Sequence, residues 1–264
     1  MKIVGFEANG GLHLGVVEGD QVIDLQAVDH AIPGDLGEYL RRRNGDLAPL
    51  KDAAKRAAAN ARRPLKDLRY GLPVAAPGKV ICLGLNYLEH VKEGAQRDNV
   101  PKFPTIFMRG RTSLVPHGQA IMRPKASETL DYEAELIFIV GKRAKHLTKD
   151  NAYSCIAGYS CGNEGSVREF QRKTSQWDMG KNFDRTGGFG PWMVTPDELP
   201  AHKGWGHSDW SQCAQFASAC GAAHLWLFHH KPGRTDEALA SIEAEARLLF
   251  AATDAAGEGD TFTV

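Results

Sequence analysis

Apolar and polar positions alternate from the first residues. In KIVGFEANGGLHLGVVEGDQVIDL, residues 2–25, the alternation runs around two turns, at Gly10-Gly11 and Gly19-Asp20. A period near two marks strands with one buried face, so short strands joined by turns are predicted over residues 1–30. Residues 35–64 lose that period, are rich in Ala, Arg and Lys, and stop at Pro64; they are predicted helical. The stretch RPLKDLRYGLPVAAPGK has no strong period and is punctuated by Pro and Gly, which places a boundary near residue 76. A small N-terminal α/β domain, 1–75, is therefore expected ahead of a main domain, 76–264.

From residue 79 onward short β-rich runs recur: KVICLGLNY, TIFMRG, LDYEAELIFIVG, IAGYSCGN and PWMVTP. Their density predicts an α+β, β-rich core with a few helices rather than regular βαβ repeats. The run LDYEAELIFIV, 130–140, read as one strand, puts Asp131, Glu133 and Glu135 on one face. Like charges that close repel, and carboxylates beside an apolar run need a positive partner. Glu133 and Glu135 can share a hard cation such as Mg²⁺; an exposed acidic edge is the competing reading, and the apolar LIFIV favours the cation.

A third oxygen donor is offered by GYSCGNEGSVREFQ, 158–171, where a strand end turns into a helix with Ser166 as its cap and Glu164 at the junction. By itself Glu164 reads equally as an acid favoured by a helix start. In NYLEHVKEG, 86–94, a short helix ended by Gly94 puts His90 and Glu93 on one face. A carboxylate beside an imidazole suits a general base acting on water, although a surface pair has the same spacing. Lys181 in GKNFD and Arg109 in FMRGR are candidate anion-binding cations. The GGFG at 187–190 lacks the context of a phosphate loop, and no GxSxG, Walker A or HExxH motif occurs.

Composition removes several classes. Lys+Arg and Asp+Glu balance at 32 each, which argues against nucleic-acid binding. Apolar runs are too short for a membrane span, MKIVGFEANGG lacks a signal-peptide core, and a cytoplasmic protein is expected. The five cysteines are odd in number and form no CxxC pair, so reduced, buried thiols are expected rather than a disulfide framework or zinc knot.

Taken in order, NYLEH with Glu93, PTIFMR…TSLV, DYEAEL, AGYSCGNEGSVREFQ, KNFD and GFGPWMVTPDEL resemble the fumarylacetoacetate hydrolase family. The N-terminal segment resembles the small first domain of bacterial members, and the likeness covers residues 1–200. It implies a mixed β-sandwich roll, a homodimer and bound Mg²⁺ or Mn²⁺. It also implies Glu133, Glu135 and Glu164 as metal ligands, with Asp131 a neighbour, and His90 with Glu93 as a water-activating pair. Lys181 would be catalytic, and Gln171 and Arg109 substrate-lining. The activity implied is hydrolysis of a carbon–carbon bond in an acylpyruvate-like 2-oxoacid through a stabilised pyruvate enolate; decarboxylation and isomerisation use the same enolate.

Three features depart from the family pattern. Glu164 stands where Asp is usual, which moves the carboxylate by roughly 1.5 Å on a fixed backbone. Arg109 stands where Lys is commoner, keeping charge but not shape. After Pro200 the family's NG turn and GD…TGTPxGVG segment are missing. Residues 201–264 instead hold three of the five Trp and five of the ten His, a composition that fits a shifted reading frame near residue 201. A metal site at His224, His229 and His230 is not favoured. Within this tail TDEALASIEAEARLLFAATDAAG predicts a helix with Leu239, Ile242, Ala246, Leu249 and Phe250 on one face and Gly257 as a stop. The competing functional reading is a catalytically silent scaffold of the same family.

Overall fold

The computed structural model describes residues 1–85, 101–198, 210–227 and 235–255. The chain opens with β1 (Lys2–Ala8), β2 (Gly11–Glu18) and β3 (Gln21–Asp24), as the alternation predicts. The first turn is Asn9-Gly10, with φ of 51° and 78°, a pairing that Asn and Gly tolerate and that matches strand twist. The predicted helical region is two helices, α2 (Leu36–Arg43) and α3 (Ala48–Lys55), after a single turn α1 (Leu25–Val28). Local chemistry explains α2. Asp35 accepts from the Glu38 N–H at its start, Arg41, Arg42 and Arg43 sit at its end, and Asn44 (φ 48°) with Gly45 (φ 81°) turns the chain left-handed. Pro49 then sits in the first turn of α3, where its missing N–H costs nothing. Residues Arg62–Pro64 are not helical but form β4, paired with β3.

The part of the chain after residue 79 supplies β5 (Val80–Gly84), β6 (Thr105–Arg109), β7 (Leu114–Pro116), β8 (Leu130–Asp131), β9 (Ala134–Val140), β10 (Ile156–Asn163), β11 (Ser166–Val167) and β12 (Gly187–Val194). One sheet runs β4-β3-β2-β1-β12-β10-β9, with β7 added in parallel to β12. β1 pairs antiparallel with β12, Lys2 opposite Val194 and Ile3 opposite Met193. N-terminal and later strands thus share one core, in which Ile3, Leu14, Leu36 and Leu50 meet Ile139, Phe189 and Met193. The mixed, β-rich architecture expected from the sequence is the one observed. The run 130–140 is not one strand: it breaks at Tyr132-Glu133, and β8 pairs with β11 while β9 pairs with β10.

Contacts divide the chain into two compact units, Met1–Val80 with Arg109–Glu198, and Ile81–Met108 with Leu199–Val264. The second unit contains the two-stranded pairing of β5 and β6, on which Ile81, Leu83, Ile106 and Met108 are exposed. It also contains α6 (Trp210–Cys220), β13 (Leu225–Leu227), α7 (Asp236–Leu249) and β14 (Thr253–Ala255), with β13 and β14 parallel. The predicted C-terminal helix is present and begins at a Thr235 cap. Its Ala246 is buried, but Leu249 is exposed, because it lies at the edge of the apolar stripe, about 60° from Ala246. Gly257 lies outside the described residues. Cys82, Cys155, Cys161 and Cys213 are half-buried rather than buried.

Candidate active site

The break between β8 and β9 is what builds the site. Freed from a regular ladder, the Glu133 N–H donates to Asn163 Oδ1 (3.1 Å) and its carbonyl accepts from the Glu164 N–H (2.8 Å). Two residues far apart in sequence are thereby fixed side by side, while Glu135 follows on β9 opposite Gly162. Ser166 is not a helix cap. It lies in β11, and its hydroxyl donates to Glu133 Oε1 at 2.8 Å. The short helix α4 (Arg168–Gln171) has Val167 at its start, which offers no capping side chain.

Lys181 closes the cluster from the end of α5 (Asp178–Lys181). Its side chain is 2% exposed, and Nζ lies 3.2 and 3.1 Å from the two Glu133 oxygens and 3.9 Å from Glu164 Oε1. Arg168 spans Asp131 and Glu133, both at 2.7 Å, and donates to Gln171 Oε1 at 3.1 Å. Arg109 is buried and donates to Glu164 Oε1 at 3.1 Å. Among the described residues no partner is found for Glu135 or for Glu164 Oε2.

Charge is distributed unevenly over the three glutamates. Burial pushes the Glu133 carboxyl up, but Lys181 and Arg168, helped by Ser166, outweigh it and hold it below the usual range. Glu135 has no such cation of its own. Although it borders solvent, desolvation by the surrounding protein, then the charges of Glu133 and Glu164, push its carboxyl up to about 7 despite Lys181. An uncompensated carboxylate beside two others is the donor chemistry that suits a hard divalent cation. Among the described residues, however, no three His, Cys, Asp or Glu side chains are drawn together into a ready metal cluster. Lys181, Arg109 and Arg168 hold Glu133 and Glu164 instead.

The predicted residues Glu133, Glu135, Glu164, Lys181 and Arg109 thus converge, and Gln171 joins them through Arg168. His90 and Glu93 lie outside the described residues, as do His229 and His230. Sequence reasoning missed Ser166 as a partner of Glu133 and missed Arg168 altogether. The available signal for Arg168 was its place three residues before Gln171, on the same helical face. A cavity of about 620 Å³ elsewhere in the first unit is lined by Lys66, Arg69, Tyr70, His117 and Arg185 and includes none of these carboxylates.

Residues 79–227 match the family described as fumarylacetoacetate (FAA) hydrolase, C-terminal. The match continues past residue 201, where the composition changes. A fumarylacetoacetate hydrolase domain-containing protein 2 homolog of Dictyostelium discoideum is 33% identical over 76% of this chain and 67% of its own length. The mitochondrial oxaloacetate tautomerase FAHD2A of Homo sapiens is 34% identical over 75% of this chain, which spans 64% of that relative. Among solved structures, a fumarylacetoacetate hydrolase from Exiguobacterium antarcticum is 30% identical, with TM-score 0.61 over 76% of this chain and 68% of that one. A maleylpyruvate hydrolase from Sphingobium, solved with manganese(II) and pyruvate, is 26% identical, with TM-score 0.59 over 76% and 69%. The expected cytoplasmic location does not stand: the curated relatives whose names give a compartment, in Homo sapiens, Rattus norvegicus, Bos taurus and Xenopus laevis, are mitochondrial.

Proposed function

The chain belongs to the fumarylacetoacetate hydrolase family, and from that premise we propose that it interconverts the keto and enol forms of a small 2-oxoacid of the oxaloacetate type. Tautomerase chemistry takes precedence over the carbon–carbon hydrolysis expected from the sequence, because curated relatives at 34–35% identity carry that activity in their names. The observation that carries the reading is Lys181, an ammonium 2% exposed and held against Glu133 and near Glu164.

Tautomerisation breaks a C3–H bond. Its electron pair becomes the C2=C3 double bond as the carbonyl pair moves to oxygen, which then takes a proton. The step needs a cationic donor for the developing oxyanion and a group to carry the proton. Lys181 Nζ supplies the donor, pre-oriented by its two contacts to Glu133. Arg168 fixes Glu133 from the other side and Ser166 occupies one of its lone pairs, so the carboxylate cannot turn away. The family resemblance suggests His90, with Glu93, as the proton carrier. Glu133, Glu135 and Glu164 would hold Mg²⁺ or Mn²⁺, which when bound polarises the 2-oxo group as a Lewis acid.

Hydrolysis of an acylpyruvate is the second reading, favoured by the likeness to the maleylpyruvate hydrolase that holds manganese and pyruvate. The test follows the decay of enol-oxaloacetate by its ultraviolet absorbance, with and without Mn²⁺, in parallel with pyruvate release from an acylpyruvate. Acceleration of enol decay that Lys181→Met lowers by roughly a hundredfold or more supports the proposal. Pyruvate release without enol acceleration replaces it with the hydrolase. Neither activity, with Mn²⁺ bound, leaves the silent scaffold.

A further inference from the structure

Arg109 is held differently from the other cations of the site. Its Nε donates to Ser113 Oγ (3.1 Å), Nη1 to Glu164 Oε1 (3.1 Å) and to the Gly165 carbonyl (3.1 Å), and Nη2 to Thr186 Oγ1 (3.0 Å). The guanidinium lies so close to Gly187 that a Cβ there would stand 2.7 Å from Nη2 and 2.8 Å from Cζ. Three segments therefore converge on one side chain: the turn after β6, the end of β10 and the start of β12. With four of its five N–H groups engaged inside the protein, Arg109 has one left for any other partner.

We propose that Arg109 is a positioning residue, which grips Glu164 by Oε1 so that Oε2 is aimed into the space it shares with Glu133 and Glu135. The inference rests on the cation reading of the proposed function. It differs from the sequence expectation that Arg109 lines the substrate. It also joins two features that looked independent in the sequence, the long acid at 164 and the guanidinium at 109. A glutamate carboxylate reaches further than an aspartate, and a fork of donors with fixed geometry can fix where that carboxylate ends. A lysine has one nitrogen and cannot reach Ser113, Glu164 and Thr186 together, so Arg109→Lys separates charge from geometry.

The test titrates metal-free protein with Mn²⁺ and reads free Mn²⁺ by electron paramagnetic resonance, with melting curves to show that each variant is folded. Arg109→Lys is expected to weaken Mn²⁺ affinity roughly 10- to 100-fold, as loss of an outer-shell partner does, and to leave the KM for the 2-oxoacid at saturating Mn²⁺ unchanged. In a Glu164→Gln background the same change is expected to have no further effect on Mn²⁺ affinity. Unchanged Mn²⁺ affinity in Arg109→Lys, or a raised KM at unchanged affinity, overturns the inference while the cation reading stands. An equal loss with and without the Glu164 carboxylate overturns it too. Should Arg109→Lys fail to fold, Thr186→Val removes one of the arginine's four anchors; weaker Mn²⁺ binding then supports the inference and unchanged binding refutes it. A wild-type protein that binds no Mn²⁺ defeats the cation reading first, and the inference with it.

Discussion

A lysine ammonium with 2% of its side chain exposed persists only because carboxylates face it. Removing it leaves Glu133 short of one of its two cations in a site that is mostly out of water. Lys181→Met should therefore lower stability by about 3 kcal/mol, at the lower end for a broken buried pair because Arg168 remains, as urea denaturation would show. His117 behaves in the opposite manner to a paired group. Its ring stands edge-on to Tyr70 at 4.8 Å, and burial holds its pKa below the usual value. The unfolded chain then binds the proton first, so His117 contributes stability above about pH 6.5 that is lost as the pH falls through its lower folded value. His117→Asn should flatten that part of the stability curve, measured by urea denaturation at a series of pH values; an unchanged slope would show that other groups set it.

Among the elements, those that were legible in the sequence are those with local causes. The first turn, expected at Gly10-Gly11 and found at Asn9-Gly10, and the C-terminal helix that opens at Thr235 are each decided within a few residues. The end of α2 at Asn44-Gly45 is as local but goes unread inside a stretch predicted helical over 35–64. The break at Tyr132-Glu133 and the fate of Ser166 are not local. Both depend on Asn163, Glu164 and Glu133 meeting across a separation of about thirty residues, and nothing near residue 133 announces it. Likewise the three glutamates could be proposed as neighbours, but not that Arg109 and Lys181 would already hold two of them. Close approach of segments has the same hidden character. A Cβ on Gly165 would stand 1.8 Å from the Thr186 carbonyl oxygen. Gly165→Ala should push β10's end away from β12, cost about 2 kcal/mol or more in stability, and displace Glu164 beside it. Thermal denaturation together with Mn²⁺ affinity would check both effects; a variant as stable as the parent would mean the two segments can separate freely.

For the whole molecule, the decisive contact is β1 against β12. Ile3 and Met193 face each other with no exposed surface, so residues 1–75 complete the sheet that carries the site. A protein lacking residues 1–75 should bind a hydrophobic dye and melt without a cooperative transition; a sharp melt would show that the later strands hold together unaided. The same pairing has a consequence for how the chain is made. Ribosomes add about 5–20 residues per second, so β1 is finished roughly ten to forty seconds before Val194, the residue opposite Lys2, exists. During synthesis the Gly5–Glu7 part of β1 can pair early with residues 69–71, but its Lys2–Ile3 end must wait with its edge open and Ile3 without Met193. That interval, rather than the strength of the finished sheet, is when the nascent chain most needs a chaperone.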